Sequence, residues 1–452
     1  MGQLRRFNEV EIPSREGLGF APHAWGHRLL SLNDLSSRRS IVETFASLLS
    51  ANLILAGVGF FTSIALASTM GAASYGDLAY AMAVGGYVLT FAYCGFDQSL
   101  LRDLIHHAAL EQRLVLASLL VRGALLVVGL AALLILAHAM GLVHPLGGGG
   151  WLLVLACAVP AMGLTPVFDA QGRIRHHTIL YVVERGTYFA FIWSLLVVVP
   201  GLVRVGTVAI GLLLGSILGL GLQFRTVFSR LRAHVDGRTL RLAGRLVSRN
   251  LWLWTSALAQ LSFGALSKIV LGNEAGSAEL GAYAIAWLVV TVGSLFTAQI
   301  GRIGNPRLVA VTRPGVPRRV RIRFLLRYLS VMCLVSGLIA VPALIAPGLL
   351  LDLVGPGYRV AARALRILAA YVVLNGMGYV GVQYLVAVRL ERTYGLTLMG
   401  SALLSAVLLA MLVPRMGSEG AALAAVSAHG LALVIYAGVA ILHGSRLSEA
   451  PT

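Results

Sequence analysis

Long apolar stretches alternate with short polar segments along almost the whole chain. Stretches of about 20 apolar residues have the length that an α-helix needs to cross a bilayer. The pattern predicts about twelve transmembrane helices, at residues 43–68, 78–98, 114–137, 150–169, 178–199, 205–224, 248–271, 280–300, 324–346, 364–388, 394–413 and 420–442. The connection 346–364 is the hardest to place, because Pro347, Gly355, Pro356 and Gly357 interrupt the helical pattern.

The polar segments divide the chain into parts. Residues 1–42 contain no apolar core, so they are predicted to form a cytoplasmic N-terminal arm rather than a cleavable signal peptide. An N-terminal lobe (43–224) and a C-terminal lobe (248–442) follow, joined by a basic cytoplasmic linker (225–247), and the chain ends in a cytoplasmic tail (443–452). We expect the linker to contain a short helix on the membrane surface. Its arginines are either solvated charge that holds the loop in the cytoplasm or a site for anionic lipid.

The two lobes share a weak internal repeat. Residues 281–286 align with residues 76–81 at an offset of 205, and Arg307 aligns with Arg102 at the same offset. Parallel repeats are a recurrent way to build transporters. The hairpin at 250–306 is therefore predicted to begin the second half. Later pairs align at offsets of 214 to 216, namely Pro200 with Pro414, Gly206 with Gly420 and Arg173 with Arg389.

The charge distribution predicts membrane topology rather than a nucleic-acid partner. The chain is 58% hydrophobic and only 12% charged, with a net charge of +18, whereas soluble domains carry about 25% charged residues. With the N-terminus inside, 28 of the 36 basic residues fall in inside loops and five in outside loops. Positively charged loops stay in the cytoplasm, so both termini are predicted to be cytoplasmic in a multi-pass membrane protein.

Several loop motifs resemble those of one family. Over residues 40–440 the chain resembles the polysaccharide transporters, or Wzx-type flippases, of the multidrug/oligosaccharidyl-lipid/polysaccharide (MOP) exporter superfamily. The motifs are rich in small residues and lie between predicted spans. They are MGAASYG at 70–76, GFDQSLLR at 95–102, KIVLG at 268–272, LGAYA at 280–284, LVGPGY at 353–358, AARALRIL at 361–368 and PRMGSEGAA at 414–422.

The resemblance implies an all-α polytopic membrane fold, with two six-helix lobes arranged as a V around a central cavity. It also implies a flippase in the bacterial inner membrane, which moves an undecaprenyl-pyrophosphate-linked oligosaccharide from the cytoplasmic to the outer leaflet. The product would be O-antigen of lipopolysaccharide, capsule or exopolysaccharide. The implied partners are the lipid-linked substrate and membrane lipids, with a polysaccharide polymerase and glycosyltransferases as candidates. One departure is Ser267, where family members often carry an acidic residue, and it puts cation coupling through that position in doubt.

Charged residues inside the predicted spans are the main candidate site residues, because charges in hydrocarbon usually face a cavity or a partner. Arg122 in span three and Arg185 in span five are predicted to lie at similar depths from the cytoplasmic side. The planar guanidinium group suits phosphate recognition, so the two arginines could hold the pyrophosphate of the substrate in a net-positive cavity. The alternative is that Arg122 pairs with Glu184 and ties two helices together.

Two further residues complete the candidate site. Lys268, the only lysine of the chain, could line the cavity or extend to the outer membrane interface. Asp97, like Glu184, is a candidate for coupling or ion pairing, and with Arg102 it fits an ordinary ion pair at a loop edge. The scattered cysteines and the adjacent histidine pairs lack the spacing of a metal site. We expect no catalytic residues, no metal and no cofactor.

Other functions compete with the lipid-linked glycan flippase. A multidrug or cation exporter of the same fold would favour acidic cavity residues, whereas the candidates in this chain are mainly basic. A glycan polymerase or ligase would need a large outer loop with catalytic side chains, and the predicted outer loops are short. A peptidoglycan-precursor flippase is a close variant of the first function and usually has additional spans.

Overall fold

The computed structural model describes residues 38–107, 110–139, 143–229, 235–312, 316–388 and 390–449. It separates a short N-terminal unit ending at Ala46 from one large unit, Ser47–Thr452. Most of the predicted N-terminal arm and the last residues of the predicted tail, 450–452, lie outside the described residues.

The described residues form helices and contain no strand. Helices satisfy their backbone polar groups internally, which the bilayer requires of a spanning segment. In chain order the helices are α1 (Arg38–Tyr93), α2 (Phe96–His106), α3 (Glu111–Ala139), α4 (Val143–Ala158), α5 (Thr165–Ala170), α6 (Ile174–Val198), α7 (Val205–Phe228), α8 (Gly237–Glu274), α9 (Ser277–Val311), α10 (Arg318–Ile345), α11 (Pro347–Asp352), α12 (Ala362–Ala387) and α13 (Glu391–Glu449).

Each predicted span coincides with a helical segment. In the described part of the chain, nine helices are long and apolar enough to cross a membrane. Two of them, Ile54–Tyr93 and Glu391–Leu442, are kinked at Gly71 and Gly417, so each covers two predicted spans. α8 covers the seventh predicted span. The predicted all-α polytopic membrane fold is confirmed.

The fourth predicted span is an interrupted helix. α4 ends at Ala158, a short 3-10 helix occupies Val159–Met162, and α5 begins only at Thr165. Prolines at the starts of the second and third pieces supply no backbone N–H, and Gly163 has an extended backbone (φ −61°, ψ 145°). The break leaves backbone groups inside the protein that need partners from elsewhere in the fold.

The basic linker differs from the predicted separate surface helix. α8 is 38 residues long and joins the arginine-rich segment to the seventh span without a break. Its N-terminus is capped by Asp236, whose carboxylate accepts a hydrogen bond from the Thr239 backbone N–H at 2.7 Å. Ala243 and Leu246 are buried in a cluster with Leu114 of α3. Packing against α3 therefore stabilises the polar first turns of α8 as part of the same helix. Local hydropathy does not predict this contact.

The internal repeat is visible in the backbone. Gly71 at the kink of α1 has φ 78° and ψ 165°, and Gly276 before α9 has φ 86° and ψ 170°. The two glycines are 205 residues apart, the offset expected from the sequence. Positive φ is accessible to glycine at little cost, so each half uses a glycine to turn one span into the next.

Candidate functional site

A cavity of about 550 Å³ lies between the two halves of the large unit. α1 forms one wall, and α8, α9 and α12 form the opposite wall. The volume is typical of small-molecule sites. The polar and aromatic residues of its lining are Ser63, Tyr75, Gln260, Phe263, Lys268, Trp287, Thr291, Ser294, Tyr371 and Asn375.

Lys268 is the only charged residue among the described residues that line this cavity. It lies on the same face of α8 as Gln260 and Gly264, because residues four apart share one side of a helix. No carboxylate among the described residues forms an ion pair with its ammonium group. The sequence left open whether this side chain faces the cavity or the outer interface, and the structure places it in the cavity.

Ser267 lies on a different face of α8 and is fully buried. Its hydroxyl donates a hydrogen bond to the Gly264 carbonyl at 2.9 Å and accepts one from the Tyr283 hydroxyl at 3.4 Å. An acidic residue at this position would therefore stand between α8 and α9, away from the cavity lining.

The cavity wall opposite α1 combines aromatic rings with amide and hydroxyl groups. The Trp287 ring lies 5.3 Å from the Tyr371 ring, and Gly264 provides the space on α8 that the indole occupies. The Asn375 amide donates a hydrogen bond to the Ser294 hydroxyl at 2.9 Å. Such a wall offers both flat apolar surface and hydrogen-bonding groups to a bound molecule.

One end of the cavity is sealed by the repeated hairpin turns. Gly76 packs against the backbone carbonyl of Ser277, and Gly281 packs against the backbone carbonyl of Ala72. At the offset of 205, Gly76 corresponds to Gly281 and Ala72 corresponds to Ser277, so the contact is reciprocal. A Cβ atom at either glycine would overlap the opposite backbone. The glycines therefore allow the two halves to approach this closely.

Hydrogen bonds reinforce this seal. The Ser277 hydroxyl donates to the Asp77 carboxylate, and the Tyr80 hydroxyl donates to the Asn273 side-chain oxygen at 3.1 Å. The Tyr358 hydroxyl reaches the Ala67 carbonyl at 2.6 Å. The sealed end lies beyond Lys268, because Asn273 is about 7.5 Å farther along α8 by helix rise.

The second arm of α1 also contacts α8 along the length of the cavity. The Tyr87 hydroxyl donates a hydrogen bond to the Ser262 hydroxyl at 2.9 Å. Farther from the seal, the Phe91 and Trp254 rings lie 4.9 Å apart. This side of the cavity is closed by direct contact between the two halves.

Arg122 does not line the cavity. Its side chain is fully buried in the N-terminal half, and its guanidinium donates to the Gly163 carbonyl at 2.6 Å and the Ala161 carbonyl at 3.4 Å. The Tyr93 and Phe96 rings lie 4.8 and 5.1 Å from its central carbon. Arg122 thus supplies partners to the interrupted fourth span, and the expectation that it faces the central cavity is not met.

Arg185 and Glu184 are also absent from the described cavity lining. The Arg185 guanidinium lies 5.6 Å from the Tyr181 ring of its own helix. The Glu184 side chain packs against Gly219 of α7. The pair of arginines expected to hold a pyrophosphate therefore does not converge on the cavity in this structure.

Asp97 lies in the first turn of α2, and its side chain is outside the described part of the structure. The residue that sequence reasoning missed nearby is Asp103. Its buried carboxylate lies 3.5 Å from Arg249 of α8 and 3.8 Å from Arg102. The Asp103 carboxylate thus links this loop edge to α8, which the local sequence does not reveal, and the pairing of Asp97 with Arg102 stays a prediction.

The architecture matches that of known transporters. Lipid II flippase MurJ in its inward closed conformation has a TM-score of 0.66 at 12% identity, covering 89% of this chain and 90% of that one. An inward-facing MATE multidrug transporter has a TM-score of 0.61 at 14% identity, covering 90% and 96%. A MOP superfamily transporter from Pyrococcus furiosus, described as having a binding pocket of reverse polarity, has a TM-score of 0.55 at 14% identity, covering 91% and 96%.

These likenesses define the class of the protein, a polytopic membrane protein with the fold of MOP superfamily transporters. The chain belongs to the polysaccharide biosynthesis protein family, whose family model matches residues 41–303, more than half of the chain. Among curated proteins no sequence match was found. The resemblance inferred from the loop motifs is confirmed.

Proposed function

We propose that this protein is a flippase for a lipid-linked oligosaccharide carried on undecaprenyl pyrophosphate. The observation that carries the proposal is the cavity between the halves, where Lys268 is the one charge among the described lining residues. A cationic site suits a diphosphate, whereas a site for cationic drugs would favour carboxylates. Membership of the polysaccharide biosynthesis protein family supports the same substrate class.

The cavity suggests how the substrate would be held. The Lys268 ammonium group would bind the pyrophosphate, since a compact point charge suits phosphate oxygens. The first sugars would lie against the wall that contains Trp287, Tyr371 and Asn375. The glycine seal closes the end of the cavity beyond Lys268. Transport would then require this seal to separate while the opposite end closes, so that the lipid-linked headgroup changes sides.

The test is a complementation experiment in cells depleted of this protein. We expect depletion to stop surface glycan production while the lipid-linked oligosaccharide accumulates in the cytoplasmic leaflet. Lys268→Gln should complement poorly, with transport lowered about 10- to 100-fold, because a hydrogen bond to a charged group is worth about 1.5–3 kcal/mol. Lys268→Arg should restore most of the transport. The measurement is the fraction of labelled precursor in each leaflet, normalised to protein in the membrane.

Arg415→Gln is the matched control, because it removes one positive charge from an exposed position of α13. It should complement fully. If the precursor reaches the outer leaflet normally in depleted cells, the flippase assignment is wrong. If depletion instead blocks export of a cationic drug, or arrests peptidoglycan synthesis first, the substrate class is wrong.

A further inference from the structure

A second cavity, separate from the central one, has arginine at four of its six lining positions. Its volume is about 290 Å³, and its lining consists of Leu110, Arg113, Arg238, Arg241, Leu242 and Arg245. We call it the arginine pocket. It lies where the start of α3 meets the start of α8.

The arginine pocket follows from the continuity of α8. Arg238, Arg241 and Arg245 are separated by three and four residues, so they project from one face of the helix. An adjacent face of α8, containing Ala243 and Leu246, is buried with α3. This packing fixes the arginine face beside Arg113, near the beginning of α3.

The charges of the arginine pocket are poorly balanced by the protein. Asp236 is the carboxylate at its edge, and it lies 3.6 Å from Arg113. Its other oxygen accepts hydrogen bonds from Thr239 at the helix cap. The Glu111 carboxylate accepts a hydrogen bond at 2.7 Å from Gln171, the residue that follows α5. Four guanidinium groups around one small cavity repel each other, and an anion between them would remove that repulsion.

The position of the arginine pocket relative to the apolar part of α8 favours a lipid as the source of the anion. Exposed Trp252 lies about 10 Å beyond Arg245 by helix rise, and tryptophan is typical of the membrane interface. Leu110 and Leu242 add apolar surface to the pocket itself. The arginines therefore lie at the level of the lipid headgroups, beside surface that acyl chains can contact.

We propose that the arginine pocket binds the phosphate group of an anionic membrane phospholipid. The arginines contact the phosphate, and the acyl chains follow the exposed apolar surface of α8 towards Trp252. A bound lipid would hold α3 of the N-terminal half to α8 of the C-terminal half. This site does not overlap the central cavity, so the inference stands independently of the proposed transport substrate.

The experiment uses the full-length protein purified in a neutral detergent. Short-chain phosphatidylglycerol is added, and binding is measured from the rise in the thermal unfolding midpoint as a function of lipid concentration. Short-chain phosphatidylcholine is the uncharged comparison. We expect phosphatidylglycerol to raise the midpoint and phosphatidylcholine to leave it nearly unchanged.

The test variant combines Arg238→Gln, Arg241→Gln and Arg245→Gln. Each basic residue near an anionic lipid contributes about a fivefold factor, so the triple variant should need about 100-fold more phosphatidylglycerol for the same rise. The matched control combines Arg319→Gln, Arg323→Gln and Arg327→Gln, which removes the same charge from the exposed surface of α10. The control should bind like the unchanged protein.

If the triple variant does not fold, Arg241→Gln alone should still weaken binding about fivefold. Equal loss in the α10 control would show unspecific charge attraction and overturn the proposal. A contrary outcome is that inorganic pyrophosphate raises the unfolding midpoint as much as phosphatidylglycerol does, with no further rise when the lipid is then added. That result would show that the pocket binds a soluble phosphate compound instead of a lipid.

Discussion

Two buried or half-buried cations in this chain have different surroundings. Lys268 faces a cavity in which it is the only charged side chain among the described lining residues. Arg122 is enclosed by protein and donates hydrogen bonds to the Ala161 and Gly163 carbonyls of the interrupted fourth span. Arginine suits the second position, because its planar guanidinium also lies against the Tyr93 and Phe96 rings.

Arg122 is therefore expected to contribute to stability rather than to substrate binding. Arg122→Gln should lower the free energy of unfolding by about 3 kcal/mol, since it removes charge-assisted hydrogen bonds to buried carbonyls. Arg122→Lys should recover only part of this loss, because an ammonium group lacks the planar face that lies against the Tyr93 and Phe96 rings. Two quantities are measured for each variant: the thermal unfolding of the purified protein and its transport activity.

The comparison with Lys268→Gln makes this assignment testable. That variant should lose transport while its unfolding midpoint stays close to that of the unchanged protein. If Arg122→Gln instead keeps its stability and loses transport, Arg122 acts on the substrate directly and the structural role is wrong.

At the scale of elements, close packing of equivalent hairpins closes the cavity. Gly76 and Gly281 occur at the same place in the two halves, and each lies against the backbone of the other half. The seal therefore depends on the absence of a Cβ atom at two positions related by the repeat. Backbone contacts of this kind cannot adjust by a change of rotamer, so a methyl group must push the two halves apart.

Gly281→Ala should open the seal. Overpacking costs typically about 1–3 kcal/mol, which would raise the population of the open form by a factor of about 5 to 150. The reporter is Ser63→Cys, a position of the cavity lining, in a background in which Cys94, Cys157 and Cys333 are replaced by alanine. Its labelling by an impermeant thiol reagent from outside the cell should accelerate.

Gly76→Ala should have the same effect, because its contact is the reciprocal one. Gly400→Ala is the matched control, since an added Cβ there would meet no atom within 4 Å. Labelling of the reporter that does not change in either seal variant would contradict the assignment of this contact as the closing element.

At the scale of the whole molecule, the distribution of arginine is the basis of the orientation that we propose. When the predicted spans alternate in direction, 28 basic residues fall in inside loops and five in outside loops. The structure supplies a helical segment for each of those spans. The cavity, its seal and the arginine pocket would then face defined sides of the membrane, with the seal on the outer side and the arginine pocket on the cytoplasmic side.

The orientation is tested by two single cysteines in the same cysteine-free background. Gly148→Cys lies at an exposed position of α4 and should react with an impermeant thiol reagent in intact cells. Arg238→Cys should react only after lysis. Reaction of Arg238→Cys alone in intact cells would reverse the proposed direction of the molecule.

The sequence alone determined the apolar part of each spanning helix and the internal repeat. A bilayer acts as a uniform solvent for each segment, so the hydropathy of about 20 consecutive residues is enough to recognise a span. The offset of 205 in the loop motifs correctly related Gly71 to Gly276 and Gly76 to Gly281. Pro160, Gly163 and Pro166 also carried a signal for the interrupted fourth span, although the partner of its backbone groups lies some 40 residues away in Arg122.

Only the tertiary structure decided which charges face the central cavity. A charge within a span must find a partner or water, but the sequence does not say which. Arg122 donates hydrogen bonds to carbonyls of the interrupted helix, whereas Lys268 faces the space between the halves because α8 packs through Ser267 and Leu271 on another face. The arginine pocket likewise forms only because α8 continues as a helix against α3. Such choices depend on contacts between residues far apart in the chain, which local pattern does not contain.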